Sequence, residues 1–184
     1  MRLLQSIILI SCAYVLVGCV TAPPGPERIQ ELFVGEWEVK PRGFYAEGAD
    51  GTRNYPFGED AVGRVIMTST GHATNEFQRN GRSRCATGTS PSNCTADEAA
   101  AALKGAVAYQ YRYTLAPDAE DPFRGRIIWK MDYDGMYPKW QDQELPRRYE
   151  MSRDGRAWVL IAPFPQNPKL AVKVHLQRHS GAPR

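Results

Sequence analysis

The chain has 184 residues, 42% of them hydrophobic and 23% charged, which fits a globular protein and excludes a disordered or fibrous one. Its formal net charge is +3 and no block of Lys or Arg occurs, so no nucleic-acid partner is expected. There is no Gly-x-Ser-x-Gly elbow, no phosphate-cradling glycine loop and no His-Glu-x-x-His, so nothing points to a cofactor or a metal.

Arg2 precedes an apolar run over residues 3–17. A membrane-spanning helix needs about 20 apolar residues, so this run is too short. It ends in Leu16-Val17-Gly18-Cys19, and Thr21-Ala22-Pro23-Pro24-Gly25-Pro26 then follows, a stretch that cannot continue a helix. The pattern resembles a bacterial lipoprotein signal. That resemblance implies removal of residues 1–18, acylation of Cys19, a Pro-rich tether over residues 19–29 and a domain over residues 30–180. The partner it implies is a membrane, reached through the lipid anchor. Val20 after the cysteine fits the outer membrane, facing the periplasm of a Gram-negative bacterium. A plain secretory signal cut after Ala22 is the alternative.

Beyond the tether, most segments alternate with period two, the mark of half-buried strands. Turn signals at Ala49-Asp50-Gly51-Thr52 and Ser69-Thr70-Gly71-His72 separate the first of them. Cys85 and Cys94 follow, an even pair once Cys12 leaves with the signal and Cys19 carries lipid. In an oxidising compartment they are expected to form a disulfide, which contributes about 2–3 kcal/mol by chain entropy. Thr95-Ala96-Asp97-Glu98 has the form of a capping box and predicts a helix over about 96–108, with Leu103, Ala106 and Val107 at helical spacing. Such a helix either closes a barrel mouth or crosses over outside.

Tyr109, Tyr111, Tyr113 and Leu115 then share one strand face, and Ile127, Trp129, Met131 and Tyr133 another. Asp134-Gly135 and Arg153-Asp154-Gly155-Arg156 read as further hairpins. Tyr149 and Met151 flank Glu150. Residues 158–162 are apolar on both faces, and Leu170, Val172, Val174 and Leu176 alternate with polar neighbours. The count is about nine strands, which predicts an all-β antiparallel sandwich or barrel.

Several motifs narrow this further. Phe33-Val34-Gly35-Glu36-Trp37 looks like the Gly-x-Trp opening of lipocalins and the wider calycin group. Residues 55–68, Tyr-Pro-Phe-Gly-Glu-Asp-Ala-Val-Gly-Arg-Val-Ile-Met-Thr, resemble the central signature of the bacterial and fungal lipocalin-like domain family. The match continues through Lys104-Gly105 and the tyrosines, then through Pro138, Trp140 and Arg147. Asp142-Gln143-Glu144-Leu145 departs from the family pattern, and the Cys85–Cys94 loop is an elaboration. The resemblance implies an all-β antiparallel calycin barrel of about eight or nine strands with one inserted helix.

It further implies that Trp37 plugs the barrel base under a late-strand arginine, for which Arg178 is the candidate. Gly35, Tyr55, Pro56, Gly58, Asp60, Gly63 and Arg147 are expected to serve the frame. Gly58 and Gly63 permit backbone that other residues resist, and Asp60 is placed to bond nearby amides. The aromatics Tyr109, Tyr111, Tyr113, Trp129, Tyr133, Trp140 and Tyr149 either fill the core or line a pocket for a small hydrophobic ligand. An enzyme of small-molecule biosynthesis is the second reading and a filled structural barrel the third. The sequence leans against an enzyme: His72, His175 and His179 read as surface residues, and no catalytic residue is marked.

Overall fold

The computed structural model describes residues 25–82, 93–133, 142–164 and 167–181. Cys12, Cys19, Cys85, Asp134, Gly135, Pro138 and Trp140 lie outside them. The strands are β1 (Gly35–Glu47), β2 (Arg53–Asn54), β3 (Val62–Met67), β4 (His72–Gln78), β5 (Ala106–Pro117), β6 (Arg124–Tyr133), β7 (Glu144–Met151), β8 (Ala157–Phe164) and β9 (Asn167–Arg178). Helix α1 is Pro26–Phe33 and α2 is Ala96–Lys104. Strands β3 to β9 follow one another antiparallel, β1 joins β3, and β1 also pairs β9, which closes an eight-stranded barrel. Strand β2 is an extra pair of residues on Ala46 and Glu47.

Period-two alternation turns one face of each strand inward. In β5, Tyr111 and Tyr113 are buried while Gln110, Arg112 and Thr114 are exposed; in β6, Ile127, Trp129 and Met131 are buried while Arg126 and Lys130 are exposed. The core is therefore the barrel interior. Its lower end, where β1 begins and β9 finishes, packs Trp37, Met67, Tyr149, Trp158 and Leu176.

Helix α1 closes that end. Ile29 and Phe33, four apart and so on one helical face, are fully buried. The Phe33 ring meets the edges of Tyr149 and Trp158, each with centroids 5.0 Å away. Helix α1 thus takes in residues 26–29, the last four of the stretch expected to be tether. Proline stops a helix internally but is tolerated in its first turn, which is where Pro26 stands.

The inserted helix is shorter than the sequence pattern suggests. It carries the expected capping box, with Glu98 N donating to Thr95 Oγ1 at 3.3 Å and Thr95 N donating to Glu98 Oε2 at 2.9 Å. It ends at Lys104, before Gly105. Ala106 and Val107 instead pair with Gln78 and Phe77 of β4 and are buried there. None of the residues of α2 is buried and Leu103 is 60% exposed, so α2 lies outside and plugs no mouth.

Strand β1 bulges between Val39 and Phe44, with Arg42 at φ 56°. Gly43 sits in the bulge because a Cβ there would stand 2.7 Å from Lys40 O. Past the bulge β1 leaves β3, and residues 55–61 wedge into the gap. Arg42 N donates to Glu59 O at 3.1 Å, and Phe57 packs on Phe44 at 4.9 Å between centroids. Gly58, at φ 86°, turns this wedge through its bond to Tyr55 O. Gly63 is required for space, since a Cβ there would lie 2.4 Å from Phe77 Cδ1. Asp60 does not fix the corner as expected. It is exposed, and no hydrogen bond to its carboxylate occurs among the described residues.

Candidate functional site

The expected ligand-lining aromatics divide between two ends of the barrel. Tyr113 and Tyr149 belong to the lower end and are fully committed to structure. Tyr113 Oη donates to Thr68 O at 2.9 Å and Tyr149 Oη to Pro122 O at 3.0 Å. Burial pushes both phenols up to about 12, so they are neutral donors at physiological pH. Trp158 is buried with no partner for its indole N–H among the described residues, but the rings of Phe33 and Trp37 flank it and it serves packing.

The upper half is different. Tyr109, Tyr111 and Trp129 form one aromatic cluster, with Tyr111 stacked on Trp129 at 4.4 Å and Tyr109 at 5.6 Å from the same ring. Asn75, fully buried, ties the phenols together. Tyr111 Oη donates to Asn75 Oδ1 at 2.9 Å, and Asn75 Nδ2 donates to Tyr109 Oη at 3.3 Å. Desolvation holds the Tyr111 phenol well above its ordinary pKa, so it cannot act as a base.

Arg147 faces the same cluster. It alternates with Leu145 and Tyr149 along β7, which turns it to the apolar face. Its guanidinium lies 5.3 Å from the Trp129 ring centroid. Burial pulls its pKa down, while the nearby Tyr109 and Tyr111 phenols act the other way. The hydrogen bond it makes is from Nη1 to the carbonyl of its neighbour Pro146, at 3.1 Å. Among the described residues no carboxylate pairs with it. The indole N–H of Trp129 is buried and has no partner among the described residues.

A cleft reaches Arg147 from the side. Strands β7 and β8 pair from Arg148–Ile161 to Met151–Trp158 and no further. The register would next set Arg147 against Ala162 and then Pro146 against Pro163. Neither proline has an N–H to give, so the ladder ends there. Above the break lies a cleft of about 520 Å³. Its apolar walls are Pro146, Ile161, Ala162, Pro163 and Leu170. Arg126, Arg147, Arg148, Lys169 and Lys173 also border it, against one carboxylate, Glu47, already held by Lys173 and Arg53.

Closed barrel, Gly-x-Trp opening and wedge agree with the sequence match. Residues 34–171, well over half of the chain, match the model of the lipocalin-like domain family. The chain belongs to that family. No curated protein matches it.

In this lipocalin-like barrel the Arg178 guanidinium lies over the Trp37 ring at the lower end. Tyr55 touches Tyr45 at 6.0 Å and Pro56 leads into the wedge, both partly buried. Gly35 lies under Arg178, at φ 130°. The backbone of Tyr133 is in β6, and Trp140 falls outside the described residues. Arg147, expected in the frame, belongs instead with the upper cluster. His175 is half-buried, not a simple surface residue, and shares a hydrogen bond with Tyr45 Oη at 2.9 Å. Among the described residues no group of three metal-ligating side chains occurs, and no helix is long and apolar enough to cross a membrane. Sequence reasoning missed Asn75 and gave Arg147 to the frame. The signal for both was alternation, since Ala73-Asn75-Phe77 and Leu145-Arg147-Tyr149 each set a polar residue between inward apolar ones.

Proposed function

We propose that this protein binds a small hydrophobic molecule at the upper half of its barrel and is held at the cell envelope by acylation of Cys19. The observation that carries the binding reading is the cleft between β7 and β8, of about 520 Å³, whose border includes Arg147, the residue that lies 5.3 Å from the Trp129 ring of the aromatic cluster. Pockets for small ligands range over about 300–1,000 Å³ with mainly apolar walls and a few polar groups that set orientation. The anchor reading rests on the Leu16–Cys19 box and the proline-rich stretch after it. With three acyl chains on Cys19 the attachment would be lasting. Because α1 crosses the lower end, a tether ahead of it puts that end toward the bilayer and the cleft away from it. The Cys85–Cys94 disulfide belongs to the same reading, as a staple ahead of α2 in an oxidising compartment.

Native mass spectrometry after mild extraction from the host envelope tests both halves. A co-purifying small molecule and a triacylated N-terminal peptide are expected. Repeated extraction without any bound molecule favours a filled structural barrel, the reading to which the dense lower core lends weight. An N-terminal peptide that keeps residues 1–18, or one that begins at Cys19 without acyl chains, would refute the anchor.

A further inference from the structure

We propose that the ligand is an amphipathic carboxylate, which enters sideways between β7 and β8 and seats its anionic end on Arg147, beside the Trp129 indole N–H. This deepens the binding reading above and rests on it. The first ground is an uncompensated charge. Arg147 is half-buried, and a guanidinium partly withdrawn from water is better kept when an anion pairs with it. Arg147 stands among aromatic rings with one backbone carbonyl as its hydrogen-bond partner and no carboxylate among the described residues.

The second ground is independent. Trp129 is 2% exposed, and its indole N–H has no acceptor among the described residues. Buried donors are nearly always satisfied, so one without a partner marks a place where an acceptor is missing. One cation and a neighbouring donor match a single, planar, monovalent anion. A guanidinium grips a carboxylate through two parallel hydrogen bonds. The Tyr111 phenol, also close to Arg147 and kept protonated by burial, brings no charge to oppose it.

The third ground is the access route. The cleft border carries five cations, Arg126, Arg147, Arg148, Lys169 and Lys173, against Glu47 alone. An anion is drawn there and a cation is not. The aliphatic walls of Ile161, Ala162 and Leu170 then suit the tail that follows the head group.

The test titrates decanoate, decanol and decylamine by calorimetry into the chain from residue 19 onward carrying Cys19→Ala, which lacks both the apolar run and the lipid. Decanoate is expected to bind more tightly than decanol, and decylamine not at all. Arg147→Met should weaken decanoate by roughly tenfold or more, as for the loss of a charge-assisted pair, and leave decanol unchanged. Arg147→Lys, which keeps the charge without the fork, should fall between. Ala162→Trp should block decanoate and decanol alike. Equal binding of decanoate and decanol, or indifference to Arg147→Met in a variant whose circular dichroism is unaltered, overturns the anionic site but spares the ligand reading. Failure of all three probes, with nothing bound in native mass spectrometry, overturns both. Full decanoate binding by Ala162→Trp overturns the sideways route.

Discussion

Arg178 lies with its guanidinium carbon 4.3 Å from the centre of the Trp37 ring, and the same group reaches past that ring to the end of α1. Nη1 donates to Val34 O at 3.0 Å and Nη2 to Leu32 O at 2.7 Å. Trp37 Nε1 meanwhile donates to Phe33 O at 2.8 Å. The last carbonyls of a helix have no partner within it, so the final strand and the first strand together cap this one. Arg178→Ala removes the cation over the ring and two charged hydrogen bonds. The expected loss is about 2–4 kcal/mol in urea unfolding, with a smaller loss for Arg178→Lys.

Phe33 tests the same closure from the helix side. It is fully buried between Tyr149 and Trp158. Phe33→Ala should destabilise the barrel by about 3–5 kcal/mol. If α1 were a dispensable extension, thermal unfolding would not move.

The Asn75–Tyr111 bond predicts an asymmetry. Tyr111→Phe leaves the fully buried Asn75 Oδ1 without its donor and should cost about 1–3 kcal/mol. Converting Asn75 to Leu as well removes the stranded acceptor, so the double variant should recover part of that loss. A double-mutant cycle in denaturant measures it.

His175 gives the stability curve a slope. Burial pulls its pKa below the ordinary value; Lys40, Lys173 and Arg53 act in the same direction, and Glu47 opposes them. The unfolded chain, with a His pKa of about 6.5, therefore binds more protons over the window below that value. Stability from the neutral ring is full above about 6.5 and is lost as pH falls toward the folded pKa. His175→Gln, which still offers Tyr45 a partner, should lose less stability than the parent chain between about pH 7 and pH 5. Parallel denaturation curves at the two pH values decide it.

Gly63→Ala probes the wedge. The added Cβ meets Phe77 Cδ1 at 2.4 Å and Glu76 O at 2.6 Å, and the backbone oxygen cannot step aside. Overpacking of this kind costs about 1–3 kcal/mol. The same change at Gly51, where no atom lies within 4 Å of the new Cβ, meets no clash, though its φ of 81° adds local strain.

Most of the barrel was legible because its strands obey one rule, alternation between a packed face and a wet face. The inward set of β5 and β6, the hairpins at residues 49–52, 69–72 and 153–156, and the capping box of α2 follow from local pattern alone. The misreadings fell where two local rules competed. Leu103, Ala106 and Val107 keep helical spacing, but Gly105 and the β4 partners of Ala106 and Val107 prevailed. Pro26 looked like tether because a helix start and a chain breaker share that residue. The cleft was invisible for another reason. Pro146 and Pro163 are seventeen positions apart, and only the β7–β8 register brings them opposite each other.

That proline pair has a second effect. Where β7 and β8 part, each exposes backbone that a neighbouring molecule would ordinarily recruit as a template for strand addition. A proline on each bank withholds the N–H such a visitor would need, and lysines and arginines crowd the rim. The barrel can therefore keep a seam permanently unzipped without inviting self-assembly through it.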